Sequence, residues 1–244
     1  MIAVFAGTSD GRLTVDLLKE NSLEVVCFNA TAYGGSLYEG ITVYDYPMDL
    51  DMIQSKLLEH KVTDIIDCTH PFAEVISKNL MRASHKLKIP YYRFERPELE
   101  SEHYESYDDI LKDINQTEGN IFLTIGSNNL EVFTQGVDIK RLYCRVLPTE
   151  VVIKKCCELG LSPKQIIGMQ GPFDKELNQA MFHALDIKHL VTKASGNAGG
   201  FKEKLGAAKA LNIHTYVLGR PQIEYVNLYR DLKTLIKDIL GGRK

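Results

Sequence analysis

HLVTKASGNAGGFKEKLGAAKALNIHTYVLGRP, residues 189–221, holds a complete folding unit. His189, Leu190, Val191 and Thr192 have strand character, whereas the run from Lys193 through Ser195 and Gly196 to Gly199 and Gly200 is too rich in glycine for either regular structure. From Phe201 the spacing predicts a helix, because Phe201, Leu205, Ala208 and Leu211 share one face, and Asn212 supplies a stop. A second strand follows from His214 to Leu218. Strand, loop, helix and strand in that order make a right-handed parallel crossover, and its loop falls at the carboxyl edge of the sheet. Backbone N–H groups and the positive end of the helix dipole favour an anion there, glycines let it approach, and Lys193 adds a full charge at the mouth.

The same alternation runs through the chain. Strands are predicted at residues 2–6, 24–28, 41–44, 64–67 and 91–94, with helices at 52–59 and 73–87 between them. A second set is predicted at 120–125, 142–146, 165–168, 190–192 and 214–218. Landmarks recur about 120 residues apart. Phe5-Ala6-Gly7-Thr8-Ser9 answers Thr124-Ile125-Gly126-Ser127-Asn128, and the segments closing on Arg96-Pro97 and Arg220-Pro221 correspond along their whole length. This predicts an α/β protein of two Rossmann-like parallel-sheet domains, residues 1–100 and 101–244, facing a shared cleft. A chance likeness of two ordinary parallel sheets is the competing explanation.

Bulk properties narrow the function. A chain of 244 residues with 44% hydrophobic and 25% charged residues is globular and long enough for a substantial core. A net charge of −3 argues against a dedicated nucleic-acid binder, and no run approaches the roughly 20 apolar residues of a membrane span. Residues 1–7 read as a first strand and not as a signal peptide, so the expected location is cytoplasmic. Cys27, Cys68 and Cys144 sit in predicted strands as small buried apolar groups, and Cys156 and Cys157 on a predicted helix. The histidines lack metal-ligand spacing, so no metal site is expected.

Ligands of open parallel sheets bind at the strand-end loops. Arg12, Arg93, Arg96, Lys193, Lys202, Lys204 and Arg220 lie in or near those loops while the acidic excess is spread elsewhere, a distribution that suits a polyanion. The first loop lacks a full G-x-G-x-x-G, and the Lys193 loop is not a Walker sequence, whose lysine follows its glycines. His70, between a strand end and Pro71, reads either as a functional group or as a histidine satisfied by the turn backbone. A two-lobed binding protein and a nucleotide-donor transferase for an anionic metabolite remain open beside a nicotinamide-dependent enzyme.

Taken together, Ala6-Gly7-Thr8-Ser9-Asp10-Gly11-Arg12, Asp67-Cys68-Thr69-His70-Pro71-Phe72-Ala73, Arg93-Phe94-Glu95-Arg96-Pro97, Gly171-Pro172-Phe173, the Thr192-Lys193-Ala194-Ser195-Gly196 loop with Gly199-Gly200-Phe201-Lys202-Glu203-Lys204, and Gly219-Arg220-Pro221 resemble the precorrin-6A reductase family. The resemblance spans almost the whole chain in order. Ala6, Asp10 and Cys68 depart from it, standing where glycine, glutamate and alanine are usual. It implies two Rossmann-like domains, with room for an exchange of the last strand between them by pairing the strands that end in Arg96-Pro97 and Arg220-Pro221. It also implies transfer of hydride from NADPH or NADH to a double bond of the precorrin-6A ring or its cobalt form, a step of cobalamin biosynthesis. On that basis Lys193 and His70 are the catalytic candidates. Gly7, Thr8, Ser9, Gly11, Arg12, Thr69, Ser195 and Gly196 are the cofactor candidates, and Arg93, Arg96, Gly199, Gly200, Lys204 and Arg220 the substrate candidates. The expected partner is a small-molecule tetrapyrrole, with no nucleic acid or membrane; the oligomeric state stays open.

Overall fold

The computed structural model describes residues 1–7, 9–30, 38, 40–97, 103–195 and 200–242. The chain divides into two compact units, Met1–Pro97 with Pro221–Lys244, and Glu98–Arg220.

The first unit is a parallel sheet in the order β11-β5-β4-β1-β2-β3, built from β1 (Ile2–Ala6), β2 (Val25–Asn29), β3 (Thr42–Asp45), β4 (Asp64–Cys68), β5 (Tyr91–Phe94) and β11 (Leu228–Tyr229). Every residue of β1 is buried, which is why it reads as an unbroken apolar run. Strand alternation divides its side chains between two cores. Ile2, Val4 and Ala6 pack with Val15 and Leu18 of α1 (Ser9–Glu20) and with Leu235, Ile236 and Ile239 of α9 (Leu232–Gly241). Ala3 and Phe5 pack with Ile53 and Leu57 of α2 (Leu50–Glu59) and with Leu80 and Ala83 of α3 (Glu74–Leu87). The order reverses between β1 and β4, and at that switch point the loops after the two strands meet: a Cβ on Gly7 would lie 3.7 Å from the His70 backbone nitrogen. Gly11 is needed for a different reason, since a side chain there would collide with Ala6 and lift α1 off the sheet.

The second unit repeats the arrangement as β10-β9-β6-β7-β8, all parallel, with β6 (Asn120–Leu123), β7 (Leu142–Val146), β8 (Ile166–Gly168), β9 (Ile187–Lys193) and β10 (His214–Leu218). Phe122 of β6 and Leu190 of β9 pack against Phe182 of α7 (Lys175–Ala184) and Ala207 and Ala208 of α8 (Phe201–Ala210). Helices α4 (Tyr107–Ile114), α5 (Leu130–Gly136) and α6 (Glu150–Glu158) complete it.

Three expectations need correcting. The second domain was predicted to run to residue 244, but its compact unit ends at Arg220 and the remaining residues belong to the first. The strands ending at Arg96-Pro97 and Arg220-Pro221 stay in their own sheets; what crosses over are the segments after them. Leu228–Tyr229 adds to the edge of β5, and Tyr104 bridges to Leu218 on β10, with Tyr104 N donating to Val217 O at 2.8 Å and Gly219 N to Tyr104 O at 2.9 Å. Finally, Lys193 is the last residue of a strand, paired with Leu218, and does not stand in the loop.

Candidate functional site

In the first unit the carboxyl ends of β4 and β5 converge on one buried carboxylate. Asp67 Oδ1 accepts from Thr69 N at 2.9 Å, Thr69 Oγ1 at 2.6 Å and Arg93 Nη1 at 2.8 Å; Oδ2 accepts from Ser77 Oγ at 2.6 Å and Tyr91 OH at 2.8 Å. Asp67 and Arg93 side chains are both fully buried. The register that pairs Asp67 with Arg93 across β4 and β5 makes the ion pair possible. Glu95 takes the other edge of the guanidinium, from Nη2 at 2.8 Å and Nε at 3.2 Å, and the guanidinium carbon lies over the Tyr225 ring, 5.1 Å from its centroid. Arg93 therefore leaves the list of substrate cations, because its guanidinium is held inside the fold. Thr69, expected at the cofactor, also spends its hydroxyl here, donating to Asp67 and accepting from Arg93 Nη1 at 3.1 Å.

The network fixes the loop that follows. His70 Nδ1 accepts from Phe72 N at 3.2 Å, so the neutral ring carries its proton on Nε2. Gly7 and the start of α1 flank this loop, with Ser9 at the first helical position and Arg12 exposed on the next turn. Arg96, half exposed, pairs with Asp10 at 2.5 Å, which ties the end of β5 to the N-terminus of α1. Thr8 lies outside the described residues.

In the second unit Lys193 ends β9 and is partly buried; burial pushes its amine down to about 8. Ser195 N donates to Lys193 O at 2.7 Å, and Arg220 Nε donates to Ala194 O at 2.9 Å, so Arg220 braces the loop backbone. Gly196 and Gly199 lie outside the described residues. Gly200 has a φ of 63°, a left-handed conformation that favours glycine, and caps the start of α8. Lys204 on α8 is only 5% exposed, and its amine also falls to about 8 through burial and then the nearby Arg145 guanidinium, against the pull of Glu203.

Strand alternation sets Lys193 and Lys204 apart. Ala194 packs with Phe201 and Leu205 of α8, which puts Lys193 on the opposite face of the sheet from the one that α8 covers. Lys204 is instead near Arg145 of β7, a residue the sequence did not single out. Arg145 Nη1 donates to Asn178 Oδ1 at 2.8 Å, and its guanidinium lies 4.1 Å over the Phe173 ring. The signal was present: a strand of a parallel sheet should read as a near-continuous apolar run, and Arg145 interrupts it.

These shifts set a pH dependence. Lys193 and Lys204 have folded values below their usual 10.5, so the folded state binds fewer protons than the unfolded chain above about pH 8, and stability rises with pH there. Buried Cys27, Cys68, Cys144 and Cys156 have folded values above the usual 9, so from about pH 9 the unfolded thiols ionise first and the trend reverses. Thermal midpoints taken from pH 7.5 to 10.5 should rise, peak near pH 9 and then fall; a monotonic fall from pH 7.5 would contradict the burial of the two amines.

Fold and site define a protein of two Rossmann-like units, the second of which carries partly desolvated cations on β7, on α8 and at the end of β9, an arrangement suited to anionic ligands. Residues 1–239 match the family model described as precorrin-6x reductase CbiJ/CobK. The chain belongs to that family. It is 33% identical over 252 residues to a cobalt-precorrin-6A reductase of Priestia megaterium, covering 99% of this chain and 98% of the relative. A cobalt-precorrin-6A reductase of Methanocaldococcus jannaschii is 31% identical, with 98% and 97% covered. Among solved structures, CobK precorrin-6A reductase superposes with a TM-score of 0.82 at 21% identity, over 98% of this chain and 96% of that one, which supports the two-sheet fold.

Proposed function

We propose that the chain reduces a double bond of the precorrin-6A macrocycle, in its metal-free or cobalt form, to give the corresponding precorrin-6B, with NADPH or NADH as the reductant. The observation that carries this is the family match over residues 1–239, joined to a partly buried lysine at the end of β9.

The first unit fits a dinucleotide at its switch point. Gly7 leaves the space that a Cβ would fill beside Thr69 and His70, Gly11 seats α1 tightly on β1, and Ser9 and Arg12 stand on the first turns of that helix. Gly7, Ser9, Gly11 and Arg12 would hold it. The nicotinamide, when bound, supplies the hydride. Reduction of the ring also needs a proton. Lys193 meets that need: an amine pushed down to about 8 is still charged at neutral pH yet gives up its proton more readily than an ordinary lysine. His70, with its proton on Nε2, is the second candidate. Arg96, Arg220, Gly200 and Lys204 are assigned to the carboxylates of the macrocycle.

Mixing the protein with precorrin-6A and NADPH or NADH should give loss of nicotinamide absorbance that depends on the macrocycle. A binding protein or a transferase predicts no such loss.

A further inference from the structure

Lys204, nearly buried, and Arg145, half-buried, form a pair of cations with almost nothing to balance them. Lys204 makes no ion pair or side-chain hydrogen bond among the described residues, although it is nearly buried. Arg145 is driven below its usual value, to about 10, by burial alone, with no carboxylate helping to hold its charge. Asn178 occupies Nη1, while Nε and Nη2 make no hydrogen bond among the described residues. That remaining edge offers two parallel N–H donors, the shape that grips a planar carboxylate. Phe173 at 4.1 Å and Phe122 at 5.7 Å hold the guanidinium plane and present aromatic surface beside it. Glu203 is the one carboxylate found to act on Lys204, and its Oε2 is buried without a hydrogen-bond partner among the described residues. Two cations against one carboxylate leave a single net positive charge, which complements one further carboxylate better than a phosphate dianion.

We infer that the cluster of Arg145, Phe173, Asn178 and Lys204 receives one carboxylate arm of the ligand, gripped by the Nε–Nη2 edge of Arg145 and neutralised by Lys204. The methylene stem of an acetate or propionate arm lies against Phe173. Assigning that arm to the precorrin ring rests on the reduction proposed above; the cluster's preference for a carboxylate does not. Arg145, Phe173 and Asn178 thereby become specificity residues, with Asn178 acting as a positioning residue through Arg145.

The test uses Lys204→Met and Arg145→Gln in the full chain, with a porphyrin octacarboxylate as binding probe, NADPH and NADH as nucleotide probes, and precorrin-6A as substrate. Losing a charge-assisted contact should weaken porphyrin binding roughly tenfold or more and raise KM for precorrin-6A more than it lowers kcat, with nucleotide affinity retained. Lys204→Met should also raise the thermal midpoint, because a buried charge without a fixed partner has been removed. Should Arg145→Gln fail to fold, Lys204→Met still decides. Weaker nucleotide binding with normal porphyrin binding would make this a phosphate site and overturn the inference. A lower midpoint with unchanged porphyrin binding would make it merely structural, with the same consequence. If the unaltered chain oxidises no nicotinamide, the reduction reading fails, whereas porphyrin affinity still settles the carboxylate assignment of the cluster.

Discussion

Asp67→Ala should destabilise the protein by roughly 3–5 kcal/mol, the range for removing one partner of a buried ion pair. The reason lies in what remains. Arg93, with no exposed side-chain surface, would keep its charge but lose Asp67, while Thr69, Ser77 and Tyr91 would each lose an acceptor in the same dry volume. Glu95 still holds one edge of the guanidinium, so the fold weakens without the arginine being wholly abandoned. Arg93→Met should cost less, because Asp67 would keep four donors. The double variant Asp67→Leu/Arg93→Met should recover part of the loss, since no charge is then left buried. Urea denaturation of the three variants, compared at unchanged slope, tests the order. Equal losses for Asp67→Ala and Arg93→Met would show that the carboxylate is not the hub.

Lys193→Met should lower turnover at least roughly tenfold, and by about 10²–10⁴ if the amine gives up the proton in the rate-limiting step. The pH profile supplies the sharper readout. A general acid must be protonated, so the rate of the unaltered protein should fall as pH rises through about 8, where the buried amine loses its proton. In the variant that alkaline limb should vanish from the small remaining rate. Near-normal turnover, or an unchanged alkaline limb, would take Lys193 out of the chemistry and leave His70 as the first candidate.

Legibility in the sequence followed burial. The central strands could be read because parallel strands covered on both faces carry continuous apolar runs, as β1 does. The repeat survived because corresponding loops keep their glycines and closing Arg-Pro pairs. Edges were harder. Leu228–Tyr229 is two residues long and is defined only by what it pairs with, so nothing local marks it. The start of α4 carries little apolar signal, since Asp108 and Asp109 mask the buried Ile110 and Ile114 beneath them.

The candidate site shows the same limit in another form. Cations at strand ends could be counted, but their directions could not. Arg93 points inward because the register sets Asp67 beside it, and Lys193 and Lys204 part company because Ala194 faces α8 and its neighbour cannot. Arg145 was within reach, as a charge interrupting the apolar run of a strand, but its meaning depends on Phe173 and Asn178 more than 25 residues away in sequence, and only the fold brings those together.

Reduction of the macrocycle is tested most directly by giving the protein precorrin-6A with NADPH or NADH deuterated at the transferable position of the nicotinamide, and weighing the product. One deuterium in the product, for each nicotinamide oxidised, is the expected result. A product without deuterium, or nicotinamide left unoxidised while the macrocycle is bound, would contradict it.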